Sequence, residues 1–207
     1  MTLFALLAEA ATWFIETFGL IGILITMAAE SCLIPLPSEI VMPFAGYVAW
    51  RKSSWTFILK ATLIATLGNL IGSIILYYIG VYLGRPFAER YGKYFLLTRD
   101  KLEMAEEWFR RYGAYSVFIG RMTPAIRTVI SLPAGMFKLS KRKFIILTFT
   151  GSIPWNFSLT YIGYLLGPHW TILITYSTYI DIIGVILLIA AVIILYVKPH
   201  KHLSQLK

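Results

Sequence analysis

The chain has 207 residues, of which 58% are hydrophobic and 14% charged, with a mean hydropathy of +0.72 and a formal net charge of +9. A soluble domain carries roughly 45–50% apolar and roughly 25% charged residues, so these values exclude a water-soluble globular fold. They leave room for one bundle of about four to six membrane segments at about 20 residues each, and the basic balance is expected to follow the positive-inside bias, not to bind nucleic acid.

In chain order, MTLFALLAEAATWFIETFG lacks the basic start of a cleaved signal peptide and contains Glu9 and Glu16, so it is expected to be an uncleaved amphipathic lead. Trp13 to Ala29 is predicted as a first apolar helix, entered at an interfacial tryptophan. ESCLIPLPSE follows, Glu30 to Glu39; with Pro43, its prolines Pro35 and Pro37 remove three backbone donors, and no straight span is expected there. Phe57 to Leu83 is the next apolar run, carrying GNLIG and GVYLG as small-xxx-small pairs that let helices approach in lipid. Residues 85–112 are charged with Leu102, Ala105, Trp108 and Phe109 at helical spacing, the pattern of an amphipathic surface helix. Residues 113–137 are apolar but interrupted by Arg121, Pro124, Arg127 and Pro133, and Phe144 to Leu166 and Trp170 to Val197 are the last two predicted spans.

Charge sets the expected topology. If 113–137 crossed the bilayer, the basic segment 85–111 and the cluster Lys138, Lys141, Arg142 and Lys143 would lie on opposite faces, which the positive-inside rule disfavours. That segment is therefore predicted as a re-entrant hairpin turning near Pro124, with ESCLIPLPSE as its counterpart from the other face. Only Arg51 and Lys52 then lie outside, and both termini are expected at the cytoplasmic face of a multi-pass cell-membrane protein. The halves also resemble each other. Pro35 with Ala45-Gly46 matches Pro124 with Ala134-Gly135 at an offset of 89, and LYYIGVYLG matches LTYIGYLLG at an offset of 83.

The expected architecture is thus an all-α integral membrane protein in one domain. An inverted repeat, about 13–84 and about 113–167, holds two opposed re-entrant hairpins; about four transmembrane helices, including 170–197, and the surface segment 85–112 complete it. Broken backbone at membrane depth is tolerated where it is buried or lines a polar cavity, the arrangement of transporters.

Glu30, Glu39, Arg121 and Arg127 fall in the two hairpins. Each such charge facing lipid costs about 2.5–3.5 kcal/mol on insertion scales, so the four are expected to face one another or water. Aligned at the offset of 89, Glu39 lies opposite Thr128, next to Arg127, and Glu30 opposite Ile119, near Arg121. As a purely structural set they would be two buried ion pairs. As a functional set, the guanidinium forks of Arg121 and Arg127 take an anionic phosphate group, while Glu30 and Glu39 carry protons or another ion, or compete for the arginines. Asn156, Ser38 and Thr128 are candidate cavity-lining residues, Trp155 is expected to pack, and Asp181 is a further proton site or a helix-interface hydrogen bonder. His169, His200 and His202 lack metal-site company, Ser38 and Ser131 lack a paired base, and lone Cys32 forms no intramolecular disulfide. No cofactor and no metal are expected.

ESCLIPLPSE with a downstream A-G, GNLIGS, the tyrosine-glycine stretch ending at Gly84, FIGRMTPAIR, AGM and GSIPW together resemble the DedA family, which shares a domain with SNARE-associated Golgi proteins and vacuole membrane proteins. The resemblance covers about residues 28–167. It implies two opposed re-entrant hairpins and, for bacterial members, flipping of undecaprenyl phosphate dependent on the proton motive force. It places the family's functional acids at Glu30 and Glu39 and its functional arginines at Arg121 and Arg127. Many bacterial members carry the second acid in a P-G-D context, whereas this chain has P-x-P-S-E, which leaves the substrate subgroup open. The expected function is a proton- or ion-coupled lipid-phosphate translocase and not an enzyme. Its partners are a membrane lipid with an anionic phosphate headgroup and protons or another ion, with a second copy of the chain as a further candidate and no nucleic acid. A phospholipid translocase or scramblase, a membrane-embedded lipid phosphatase and a non-transporting scaffold are the alternatives.

Overall fold

The computed structural model describes residues 3–34, 38–91, 99–123 and 126–170, and every element among them is helical. Pro35, Pro37, Pro124, Asp181, His200, His202, the tail lysines and the segment expected as the last span after Trp170 lie outside the described residues. The helices are α1 (Leu3–Ser31), α2 (Ser38–Arg51), α3 (Trp55–Tyr91), α4 (Arg99–Tyr112), α5 (Tyr115–Met122), α6 (Ile126–Val129), α7 (Ser131–Met136) and α8 (Lys141–Leu166), with a 3-10 turn at Gly167–His169.

Two helices run past the predicted ends and bend instead of stopping. α1 is broken at Gly19 (φ 55) and α3 at Gly84 (φ 57), left-handed conformations that glycine adopts without a Cβ penalty. Gly84, expected from GVYLG to be a helix-packing residue, instead turns the chain. The predicted surface helix 85–112 accordingly appears as the tail of α3 and as α4. Pro43 lies inside α2, so of the three prolines it does not end a helix.

α3 is inside-out relative to a helix of a soluble protein. Its exposed face carries Leu59, Leu63, Leu67, Ile71 and Ile75, and its buried face carries Thr62, Thr66, Asn69 and Ser73. α8 buries a second polar row, Thr148, Ser152, Asn156 and Thr160, while exposing Ile146, Ile153, Ile162 and Leu165. Apolar outside and polar inside is the arrangement expected where the solvent is hydrocarbon. Ala10–Ser31 and Trp55–Gly84 are both long and apolar enough to cross a membrane, and Asn69 sits at the middle of the second of these.

α1 and α2 run antiparallel. Arg51 Nη1 donates to Glu16 Oε1 at 2.6 Å at one end, and the Ser38 N–H donates to Glu30 Oε1 at 3.2 Å at the other. Between those contacts each helix rises by about 20 Å. The Trp55 start of α3, stacked on Tyr164 at 5.6 Å, and the end of α8, where Gly167 packs on Trp50, lie at the same end as Arg51. The α5–α7 segment opens toward the opposite end: near its start Ser116 donates to the Trp108 carbonyl of α4 at 3.2 Å, and just past its close the Leu139 carbonyl accepts the Tyr77 hydroxyl at 2.5 Å.

Glycines fix how these pieces pack. A Cβ on Gly46 of α2 would collide with the Thr160 carbonyl of α8, and one on Gly163 with the Pro43 carbonyl of α2. On the other side, Gly135 of α7 meets the Tyr77 carbonyl of α3, and Gly80 meets the Leu132 carbonyl of α7. Gly46 and Gly135 are the pair matched at 89, and Gly80 and Gly163 the pair matched at 83, so the two contacts follow the offsets of the sequence matches. The first limbs do not share that register. Gly68 packs on Leu24 and Met27 of α1, and Gly151 on Phe118 and Arg121 of α5, positions 94 apart. On this packing Met27 stands where Arg121 stands, and the alignment that set Glu30 opposite Ile119 does not extend to this limb.

Apolar clusters lie on either side of the middle. One gathers Ile15, Ile23, Met27, Met42, Phe44 and Val48, and the other Tyr77, Phe109, Val117, Ile130 and Phe144.

Candidate functional site

Between those clusters seven helices each contribute buried polar or charged side chains to one layer. α1 ends through Leu33, which takes a left-handed conformation (φ 69) so that its N–H reaches the Glu30 carbonyl at 3.0 Å and the Ile34 N–H reaches Ala29 at 3.1 Å. The closure leaves Glu30, 5% exposed, beside the first turn of α2, where free backbone N–H groups attract an anion.

Arg127, on the four-residue α6, reaches across to that corner. Its Nη2 donates to Glu30 Oε1 and Ser38 Oγ, and to Glu39 Oε1 at 3.4 Å. Its guanidinium carbon lies 5.0 Å from the ring centre of Trp155, a cation–π contact that gives this residue more than a packing role. Glu30 and Arg127 side chains are each 6% exposed, whereas Glu39 is 47% exposed and lies at the rim of the layer.

Arg121 has different company. It is 3% exposed, and its Nη2 donates to Ser73 Oγ of α3 and, at 2.6 Å, to Ser131 Oγ of α7. No carboxylate among the described residues lies within ion-pair distance of it, although Glu30 and Arg127 are near enough for their charges to act on it. Its Nε, a buried donor, has no hydrogen-bond partner. The expected arrangement of two carboxylates facing two arginines is therefore observed as one carboxylate-bound arginine and one held by hydroxyls.

Asn69 joins the two. Its Nδ2 donates to the Met27 carbonyl at 3.2 Å, to Ser31 Oγ at 3.0 Å and to Glu30 Oε2 at 3.5 Å. Its own carbonyl accepts from Ser73, the hydroxyl that holds Arg121. Three acceptors around Nδ2 fix the amide orientation, so Asn69 Oδ1 is the acceptor for Asn156 Nδ2 at 2.9 Å. Asn156 also donates to Thr66 at 3.1 Å, and its Oδ1 has no partner. Ser38 and Asn156 are fully buried within the network, and Thr128 is half-buried beside Arg127.

Sequence reasoning missed Asn69, Ser73, Thr66 and Ser31, and treated Ser131 only as a nucleophile without a base. The signal was there: Thr62, Thr66, Asn69 and Ser73 form a polar stripe at helical spacing within a long apolar run.

An inside-out helical bundle with a buried charged layer at mid-height defines an integral membrane protein. The VTT domain model matches residues 36–165, and the chain belongs to that family, the DedA family of the sequence resemblance. The chain is 38% identical over 188 residues to undecaprenyl phosphate transporter A of Bacillus subtilis, covering 89% of this chain and 91% of that one. It is 34% identical over 203 residues to undecaprenyl phosphate transporter A of Staphylococcus aureus, covering 95% and 99%. It is also 34% identical over 193 residues to an alkaline phosphatase-like protein of Lactococcus lactis, covering 88% of each chain. No solved structure matches it.

Proposed function

We propose that the protein is a lipid-phosphate translocase that returns undecaprenyl phosphate across the cytoplasmic membrane, a transporter and not an enzyme. The relatives named as transporters supply the substrate class, and the observation that carries the reading is a buried layer that, among the described residues, holds two arginines against a single buried carboxylate. Such a layer lacks one negative charge, which a phosphate group provides. A phosphatase reading is weakened by what the serines touch. Ser38 and Ser131 both accept from guanidinium groups, which cannot act as bases.

In this reading α1–α2 and α5–α7 are two re-entrant hairpins entering from opposite faces of an inverted repeat in a single membrane domain. The antiparallel course of α1–α2, the opposite opening of α5–α7 and the paired glycine contacts support it. Arg121 and Arg127 bind the phosphate group at the midplane. A proton, or another ion, on Glu30 or Glu39 weakens the hold of these acids on Arg127, and transport is thereby coupled to the ion gradient. The end carrying α4 and Lys138–Lys143 faces the cytoplasm, and a final span after Trp170 returns the C-terminus there. In this orientation the Glu16–Arg51 pair would hold the N-terminal lead at the outer end, in place of the cytoplasmic N-terminus expected from the sequence.

The test is reconstitution with labelled undecaprenyl phosphate and a competing phospholipid, with and without a proton gradient. Selective, gradient-dependent movement of the phosphate lipid is the expected result. Equal, gradient-independent movement of both lipids would replace the assignment with a scramblase.

A further inference from the structure

Arg121 is a desolvated guanidinium with two neutral hydrogen-bond partners, a donor left over and, among the described residues, no carboxylate within ion-pair distance. An isolated buried charge is far more costly than a paired one. Arg127, in the same layer, has the opposite status: Glu30, Ser38 and Glu39 already occupy it, and Glu30 is held in turn by the Ser38 N–H and Asn69. The two arginines are therefore not interchangeable halves of one clamp.

We propose that Arg121, Ser73 and Ser131 form the seat of the phosphate group, with the two serines as substrate-contacting residues, and that Arg127 joins only when Glu30 releases it. The inference rests on the lipid-phosphate reading above and assigns its parts. Ser73 comes from the middle of α3 and Ser131 from the first turn of α7, so the seat spans two elements that meet at the Gly80–Gly135 contact. Both hydroxyls now accept from Nη2. A hydroxyl is donor and acceptor at once, so the Ser131 hydroxyl donates a hydrogen bond to an arriving phosphate oxygen without breaking its bond to Arg121. For Ser73 the same requires its proton to turn away from the Asn69 carbonyl, one helical turn back. That carbonyl belongs to the residue whose amide touches Glu30, which links an occupied seat to the Arg127 lock. The unpartnered Nε of Arg121 gives the guanidinium a further N–H for a phosphate oxygen, the bidentate geometry that arginine offers to phosphate.

The experiment uses the full chain in detergent and measures binding of dodecyl phosphate, with inorganic phosphate as a second arm. Ser73→Ala and Ser131→Ala should each weaken dodecyl phosphate binding about 10-fold, the scale of one charge-assisted hydrogen bond. Thr150→Ala, on the exposed face of α8, should change it by less than about 2-fold, and Glu30→Gln, which frees Arg127 for the ligand, should tighten it by about 10-fold. Elution profile and thermal unfolding check that each variant is folded; should Ser73→Ala fail, Ser131→Ala reads the same seat from α7. Binding that neither Ser73→Ala nor Ser131→Ala weakens would overturn the seat and leave the lipid-phosphate reading standing. No binding by the unaltered chain would overturn both, and equal binding of inorganic and dodecyl phosphate would overturn the lipid assignment of the seat.

Discussion

Arg127 and Arg121 lie in the same buried layer, one on α6 and one on α5, and differ in what neutralises them. Arg127 is closed by a buried carboxylate, a serine and a rim carboxylate, under the face of Trp155. Arg121 has two serine hydroxyls and a free Nε. The first arrangement is complete without a ligand, and the second is not. Burial and charge alone do not separate the two arginines; their partners do.

The largest expected effect comes from breaking the complete pair. Arg127→Ala leaves Glu30 buried and unpaired, which should cost about 3–5 kcal/mol of stability, read by thermal unfolding in detergent. Adding Glu30→Gln to that variant should recover most of the loss. If Arg127→Ala proves harmless by itself, Arg127 is not locked and the distinction between the two arginines fails.

A smaller effect separates the sides through their glycines. Gly163→Ala pushes α2 off α8 and shifts Ser38 and Glu39, while Gly135→Ala pushes α7 off α3 and shifts Ser131. Each should cost about 1–3 kcal/mol by overpacking. Only Gly135→Ala should also weaken phosphate-lipid binding in the surviving folded fraction.

The same charge types exposed should matter least. Glu16 and Arg51 pair at 2.6 Å but with side chains 41% and 49% exposed, so Arg51→Ala should change stability by about 1 kcal/mol or less. A loss near that of Arg127→Ala would mean that this end of the bundle is desolvated, and that the depth proposed for the helix tips is wrong.

Much of this was legible in the sequence, for physical reasons that differ by residue. Glu30, Arg121 and Arg127 stand out because charge inside an apolar run is expensive wherever the fold puts it, and the three are indeed buried in one layer. Glu39 stands out for the same reason, yet it lies at the rim, because composition gives no direction to a side chain. The glycine matches at 83 and 89 mark real backbone contacts, since in each pair only a residue without a Cβ fits. Helix ends were less readable. α1 and α2 close through left-handed Leu33 and Ser53, and α7 is followed by left-handed Lys138, where a glycine would have announced the stop. The shifted register of α1 against α5 was hidden because it is set by Gly68 and Gly151 packing, not by the proline spacing that aligned the tips. The polar stripe of Thr62, Thr66, Asn69 and Ser73 marks Asn69 as buried, but its role as the link between the two arginines shows only with its three acceptors in place around it.

The most direct test of the account is Arg121→Gln, purified beside the unaltered chain and compared in stability and in headgroup transport of undecaprenyl phosphate in proteoliposomes. Removing a buried charge that lacks a carboxylate is predicted to leave thermal stability unchanged or higher while transport of the phosphate lipid is lost. A variant that still transports at the unaltered rate would contradict the central claim that Arg121 holds the phosphate. A variant that unfolds as readily as Arg127→Ala would show that Arg121 is paired after all.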